Sequence, residues 1–313
     1  MRMRQEEPVL VTGGAGFIGS HLVERLAGEG YRVRVLDNLS TGRAANLTGL
    51  QGVELVEGDI RSRDLVARAV EGVTAVFHLA ALPSVVRSWE DPVQSLAVNA
   101  HGTANVAEAA AAAGVEVLVY SSSSSIYGDQ AAQSKTEDLE PRPISPYGYS
   151  KLLAEKLALA QSGKNRLRVL ALRYFNVFGS RQDPDSPYAA VIPLFIRHAL
   201  AGTPATIHGD GKQSRDFTHV DNVVDANLLA LDSTASGVAL NVACGGSHSL
   251  LELVDQLSAL HGRRLEVVHD APRAGDIRHS RADISLAAAA IGFSPRVGFE
   301  EGLRKTYESY RRN

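Results

Sequence analysis

Two side chains four residues apart, Tyr147 and Lys151, stand in the segment Ser145-Pro146-Tyr147-Gly148-Tyr149-Ser150-Lys151. With Ser145 as N-cap and Pro146 as first helical residue, that spacing places both on one helix face. An ammonium held near a phenol favours the phenolate, and a cationic ring nearby favours it further, so Tyr147 becomes a usable base near neutral pH. A tyrosine and a lysine at helical spacing are common on surfaces, so the pair takes its weight from its company. Upstream, the run Ser121 to Ser125 follows a β-rich stretch. Five serines in a row usually mark a flexible linker. At the carboxyl end of a strand, where an α/β sheet presents its chemistry, they read instead as a hydroxyl aimed at substrate.

The company is a glycine turn. Val9-Leu10-Val11 runs into Thr12-Gly13-Gly14-Ala15-Gly16-Phe17-Ile18-Gly19 and then an amphipathic helix. Glycines let the backbone turn tightly and approach a pyrophosphate, while the helix N-terminus offers unpaired N–H groups and a positive dipole end. The spacing of Gly13, Gly16 and Gly19 is a GxxGxxG variant of the dinucleotide signature. A second strand ends at Asp37, where a carboxylate accepts hydrogen bonds from an adenosine ribose and repels a 2′-phosphate, which favours NAD over NADP. Asp59 stands at a third strand end, beside the expected place of the adenine.

These groups need a scaffold that brings strand ends together. Short β-rich runs near 8–12, 31–37, 53–57, 74–79, 116–121 and 167–173 alternate with helical patterns near 17–29, 62–71, 92–113 and 146–161. The fold class is therefore α/β, a doubly wound parallel (Rossmann) sheet with a smaller α+β substrate-binding region. Residues 1–174, rejoined by 219–243, are expected to form the cofactor domain; 175–218 and 244–313 form the remainder. Gly, Pro and Asp cluster from Gly179 to Pro187 and from His208 to Asp216, where the strict alternation fails. Gly209-Asp210-Gly211-Lys212 is not a phosphate loop, because Gln213 stands where Ser or Thr is needed.

Composition excludes other classes. With 35 acidic against 32 basic residues, the formal charge of -3 argues against a polycationic nucleic-acid binder. Cys244 is the single cysteine, so neither an internal disulfide nor an all-cysteine zinc site is possible. Ten histidines show no HxH or HExxH spacing, and no metal site is expected. His21, His78 and His101 read as structural and Trp89 as a packing residue. Arg2 and Arg4 are followed by Gln5, Glu6 and Glu7 where a secretory signal needs an apolar stretch, and no apolar run approaches membrane length. A cytoplasmic location without membrane partners is expected.

Five blocks, TGGAGFIGSH (Thr12 to His21), LDN (Leu36 to Asn38), SSSSSIYGD (Ser121 to Asp129), SPYGYSK (Ser145 to Lys151) and LRYFNVFG (Leu172 to Gly179), stand in family order. Together they resemble the extended short-chain dehydrogenase/reductase superfamily, specifically nucleotide-sugar 4-epimerases of the UDP-galactose 4-epimerase type. The resemblance implies NAD as cofactor, a UDP-sugar as substrate, and catalysis by Ser123, Tyr147 and Lys151. It implies cofactor contacts from Gly13, Gly16, Phe17, Ile18, Gly19, Asp37, Asn38, Ser40, Thr41, Gly42, Asp59, Ile60, Leu79, Ala80, Ala81, Asn99 and Tyr174, besides Tyr147 and Lys151. Substrate contacts carried over in the same way are Ser84, Ser123, Asn176, Gln182, Ala190, Val191, Thr206, His208, Arg215, Arg273, Asp276 and Ser280. Related dehydratases and decarboxylases carry acids directly after the catalytic hydroxyl. Here Ser124 and Ser125 stand there, and neither is an acid or base near pH 7. Ser280 falls at the family's gatekeeper position, where a small residue admits N-acetylated sugars. A UDP-glucuronate 4-epimerase and a non-catalytic NAD-binding relative are the alternatives. Helices 92–113 and 146–161 form a four-helix dimer contact in family members, so a homodimer is implied.

Overall fold

The computed structural model describes residues 7–130, 132–186, 188–272 and 277–312. In chain order the first half runs β1 (Val9–Thr12), α1 (Phe17–Gly28), β2 (Val33–Asp37), β3 (Val53–Glu57), α2 (Arg63–Val70), β4 (Ala75–His78), α3 (Val85–Glu90), α4 (Pro92–Leu96), a π-helical turn (Ala97–Gly102), α5 (Thr103–Ala112), β5 (Val117–Ser123), α6 (Pro146–Leu159) and β6 (Arg168–Tyr174). There follow β7 (Val177–Phe178), α7 (Val191–Ala201), β8 (Ala205–His208), β9 (Ser214–Arg215), β10 (Thr218–His219), α8 (Val220–Asp232) and β11 (Val238–Val242). The chain closes with β12 (His248–Ser249), α9 (Leu250–His261), β13 (Val267–Asp270), β14 (His279–Ser280), α10 (Ser285–Ile291) and α11 (Phe299–Arg312).

Seven strands form one sheet in the order β11-β6-β5-β4-β1-β2-β3, every pairing parallel. The central strands β1 and β4 are buried along their whole length, which is why they read as unbroken apolar runs rather than alternating ones. The edge strand β3 keeps Glu54 and Glu57 in solvent. The chain leaves β1 toward β2 on one side and returns through β4 on the other, so the strand ends of β1 and β4 part to leave a crevice.

One sheet face is covered by α1, α8 and α10 through Leu22, Val23, Leu26, Val223, Ala226, Ala287 and Ile291. The other is covered by α2, α5 and α6 through Val66, Ala69, Val106, Ala107, Ala110, Ala154 and Ala158. The alanines of α5 and α6 hold those helices close to the strands that carry the site. A separate apolar core, with Phe195, Ile196, Leu253, Leu257, Leu303 and Tyr307, joins α7, α9 and α11. The expected division by chain position is crossed: α10, within 244–313, packs on the core of the large sheet, and Ile126 and Tyr127 share a small core with Phe175 and Ala282.

Three sequence expectations differ in detail. The helix expected over 92–113 is broken by the π turn, which coincides with Asn99, a buried residue with both ends of its amide engaged. Trp89 is 62% exposed on α3 rather than packed inside. His101 is also exposed, so it has no core role, whereas His21 donates from Nε2 to the Ser180 carbonyl and His78 is buried.

His78 ends β4 beneath the crevice, its Nδ1 2.6 Å from Thr12 Oγ1 and its Nε2 2.9 Å from Thr103 Oγ1. Thr103 already donates its hydroxyl proton to Asn99 O, so Nε2 carries the imidazole proton and Nδ1 accepts. Burial, helped by the Lys151 charge, pushes the imidazole down to about 3. An unfolded histidine takes a proton near pH 6.5, so between about pH 6.5 and 3 the unfolded state holds the extra proton. The contribution of His78 to stability is therefore present above pH 6.5 and is lost at about 1.4 kcal/mol per pH unit as pH falls through that window. In urea unfolding at pH 7.5, 6 and 5, His78→Gln should flatten the acid slope relative to wild type; equal slopes would refute this assignment.

Candidate active site

A cleft of about 550 Å³ opens at the carboxyl ends of β1, β2, β4, β5 and β6. Its floor is the glycine turn. Gly13 takes φ +72°, and a Cβ there would lie 2.6 Å from Ala80 N; at Gly19 it would lie 2.1 Å from Gly13 O. Neither position has room for a side chain. A Cβ at Gly16 would meet only Gly13 O, at 3.2 Å, and otherwise project into the cleft. Gly16 is the N-cap of α1 and caps nothing with a side chain. The N–H groups of Phe17, Ile18 and Gly19 thus face the cleft wall without the i−4 partners of later turns. This uncapped helix end with a bare glycine over it suits a pyrophosphate.

Along the same wall Asp37 is buried, Oδ2 accepting from Ala15 N and Oδ1 from Leu39 N, both at 2.9 Å. Asn38, Ser40, Thr41, Asp59 and Ile60 continue the wall, with Leu79, Ala80 and Ala81 from the end of β4 opposite. Arg61 grips Asp59 through two guanidinium nitrogens, at 2.7 and 3.0 Å, and Asn38 adds a third contact. The Arg61 hydrogen bond holds the Asp59 carboxyl at about 2.

The reactive end is built by β5 and α6. Ser145 Oγ accepts from Gly148 N at 3.1 Å and Pro146 opens the helix, as the sequence predicted. The Tyr147 phenol stands by the Ser123 hydroxyl, which works to lower it, and Ser123 Oγ accepts from Ser125 Oγ at 2.9 Å. Lys151 is 3% exposed, lies 4.6 Å over the Tyr120 ring and donates from Nζ to the Ser121 carbonyl. Burial pushes Lys151 down to about 7 and Tyr147 up. The Ser123 hydroxyl works to lower the Tyr147 phenol, and the Lys151 ammonium, one helical turn on, is turned to a backbone carbonyl.

On the remaining side, β14 pairs with β9 in parallel register, setting Ser280 opposite Arg215. Both line the cleft, with Tyr174, Asn176 and Gln182. The Asp216 carboxylate ties this side together, accepting from Cys244 N at 3.0 Å and Ala282 N at 3.1 Å. Asn176, at φ 36°, donates its amide to Asp216 O.

Several expected contacts lie elsewhere. Asn99 is buried beneath the wall, its amide bonded to Leu82 and Ser150. Ser84 spends its hydroxyl capping α3, accepting from Arg87 N at 3.1 Å. Gly42 is pressed against Ala15 and Asp37, where a Cβ would come within 2.9 Å. Ala190 and Val191 begin α7, and Val191 packs on that helix's own core. Thr206 and His208 belong to β8, which pairs with β13 away from the cleft lining. Arg273 and Asp276 lie outside the described residues. The cleft also takes Ser124 and Ser125, at the positions after the catalytic hydroxyl, and Arg61, Arg87, Gln94 and Ile277, which the sequence did not mark for it. Arg87 was findable, since Ser84 three residues earlier marks a helix start. Among the described residues no cluster of metal-ligating side chains is present.

Comparison with known proteins bears on the family and the fold. Residues 9–243 match the NAD dependent epimerase/dehydratase family. The chain is 40% identical over 307 residues to a UDP-glucose 4-epimerase of Mycolicibacterium smegmatis, covering 96% of this chain and 98% of the relative. It superposes with TM-score 0.93 on the UDP-N-acetylglucosamine 4-epimerase of Methanobrevibacter ruminantium in complex with UDP-N-acetylmuramic acid, 37% identical and covering 98% of each chain. MoeE5 in complex with UDP-glucuronic acid and NAD is 41% identical, with TM-score 0.89 over 97% of this chain and 99% of that one. The chain therefore belongs to the NAD-dependent epimerase/dehydratase family. Within it, the protein is an isomerase of the UDP-sugar 4-epimerase type and uses NAD.

Proposed function

We propose that this enzyme interconverts UDP-hexoses that differ at C4, taking UDP-GlcNAc/UDP-GalNAc as well as UDP-Glc/UDP-Gal. The observation that carries the reading is that Ser123, Tyr147 and Lys151 line one cleft together with the glycine turn. Tyr147 removes the proton of the sugar 4-OH while Ser123 hydrogen-bonds the same oxygen. Bound NAD would supply a reversible hydride acceptor for C4, so the cycle would be redox-neutral. The 4-keto sugar turns over and is reduced on its other face, with Tyr147 returning the proton. Lys151 is the residue that would hold the nicotinamide ribose, the uncapped end of α1 the pyrophosphate, and Asp37 the adenosine ribose.

Arg215 and Asn176 are suited to the UDP diphosphate, with Arg273 as a second cation by resemblance. Ser124 and Ser125 offer only neutral hydroxyls to the sugar, which supports simple epimerisation over elimination. The breadth of substrate rests on Ser280: its hydroxymethyl takes little of the cleft beside Arg215, where a phenol ring would occupy the space of a 2-acetamido group. UDP-glucuronate is the second reading, favoured by Arg87, a cation on the cleft wall to which a carboxylate can pair.

A homodimer is part of the same reading. Val85, Val86, Trp89, Val93, Leu96, Tyr149 and Leu153 are exposed on α3, α4 and α6, which pack side by side. Such a contiguous apolar face suits a second copy of the chain.

Assays of C4 exchange on the four UDP-hexoses and UDP-glucuronate should show turnover, with Tyr147→Phe lowering kcat by about 10²–10⁴-fold. Full activity in that variant would contradict the mechanism. Ser280→Tyr should abolish turnover of the acetylated pair and spare UDP-Glc/UDP-Gal; equal loss of both pairs would sink the gatekeeper role. Sedimentation should give a dimer for the wild type and a monomer for Val93→Glu/Leu153→Glu, and a monomeric wild type would end the dimer proposal.

A further inference from the structure

One turn beyond Lys151 on α6 lies Glu155, 3% exposed. Every part of its carboxylate is engaged. Oε1 accepts from Arg173 at 2.7 Å; Oε2 accepts from Arg173 Nε at 3.0 Å and from Ser122 Oγ at 2.6 Å. Arg173 is buried too, and donates onward to the Tyr127 hydroxyl at 2.7 Å and to Glu137 O at 3.2 Å. Tyr127 passes its own proton to Asn241 Oδ1 at 2.7 Å. A buried ion pair of this kind seldom adds net stability over apolar side chains of the same volume, so its presence here calls for another reason.

The reason lies in what Ser122 separates. On one side of it in β5 is Ser121, whose carbonyl accepts from Lys151 Nζ; on the other is Ser123, whose hydroxyl meets Tyr147. Glu155 grips the residue between these two contacts. The ionisable groups around Lys151 are Tyr147 and Glu155 on its own helix, Tyr120 on β5 and His78 on β4; behind Glu155 stands Arg173 on β6, which in turn meets the Tyr127 phenol and the field of Glu137. His78 is a neutral tautomer and Tyr120 is a buried phenol, so Glu155 is the anion of this set among the described residues.

We infer that Glu155 is a positioning residue for the proton transfer: fixed by Arg173 and Ser122, its carboxylate keeps Lys151 an ammonium and holds the β5 serines in place against Tyr147. The inference rests on Tyr147 and Lys151 being the reactive pair. It agrees with the direction of the forces on Lys151, where burial works against the charge and Glu155 works for it.

The test is the pH profile of kcat/KM for the NAD-bound enzyme. Glu155→Gln removes the carboxylate paired with Arg173 and leaves it only the field of Glu137, so Tyr147 and Lys151 both lose their protons more easily and both limbs move to lower pH, by about one unit. Arg173→Met leaves Glu155 uncompensated and moves both limbs to higher pH. The double variant E155Q/R173M, a neutral pair in the same space, falls between wild type and Glu155→Gln. Glu155→Asp keeps the charge and leaves the limbs where they are. A merely structural role would lower kcat evenly or lower Tm and leave every limb in place; that result, or displacement of both single variants in one direction, overturns the inference. Should a single variant not fold, Glu155→Asp against the double variant reads the same difference, and superimposable profiles overturn it. Activity in Tyr147→Phe would remove the reactive pair itself. An inactive Tyr147→Phe with unmoved limbs in the others would remove the role of Glu155 alone.

Discussion

The molecule depends on a contact that admits no side chain. Helix α1 sits so closely on the turn before it that Gly19 and the Gly13 carbonyl leave no room for a Cβ, and Gly13 in turn lies against the backbone of Ala80. Those two approaches fix the direction of α1 and bring the end of β4 against the end of β1. The first-turn N–H groups consequently point into the crevice made by the strand order. Asp37, from β2, locks the arrangement through Ala15 N. The cofactor wall is thus assembled almost wholly from backbone, and its electrostatics come from helix geometry more than from charged side chains.

The opposite wall follows another principle. Strands β9, β12 and β14 are two residues long, and such a sheet gains little from pairing alone. Its segments are joined by one buried carboxylate, Asp216, which accepts backbone N–H groups from residues near 244 and 282. Burial pushes Asp216 up to about 6 even with these donors in place. Arg215 and Ser280, which meet the substrate in the proposed function, are therefore placed by a residue that faces neither sugar nor phosphate.

Much of this was legible in the sequence, and the pattern of success has a physical cause. Central parallel strands are buried on both faces, so Val9-Leu10-Val11 and the runs at 75–78 and 117–120 announce themselves. The glycine turn and the Ser145-Pro146 helix start are constraints on backbone geometry that few residue types satisfy. Polar side chains were harder to read. Asn99, Ser84 and His208 have the donors and acceptors a ligand contact needs, but a buried amide, a helix cap and a strand-end loop need the same groups. Composition cannot tell which demand a given hydroxyl or amide answers. Lys151 shows the same ambiguity, because its helical spacing to Tyr147 is real and its hydrogen bond goes to Ser121. Glu155, Ser122 and Arg173 were invisible for a different reason: they lie on three elements and meet only when β5, β6 and α6 are packed.

The proton order around His78 reaches further than its own site. Thr12 gives its hydrogen to the imidazole, the imidazole gives one to Thr103, and Thr103 gives one to the Asn99 carbonyl. All three donors point the same way, and because the row begins at an amide N–H and ends on a carbonyl oxygen that can only accept, its direction is fixed. With its hydrogen committed, Thr12 Oγ1 is left to accept, and it does so from Ala80 N at 3.3 Å. A change at Thr103, inside a helix beside the π turn, is thereby transmitted across the sheet to the polarity of the cleft wall at Ala80.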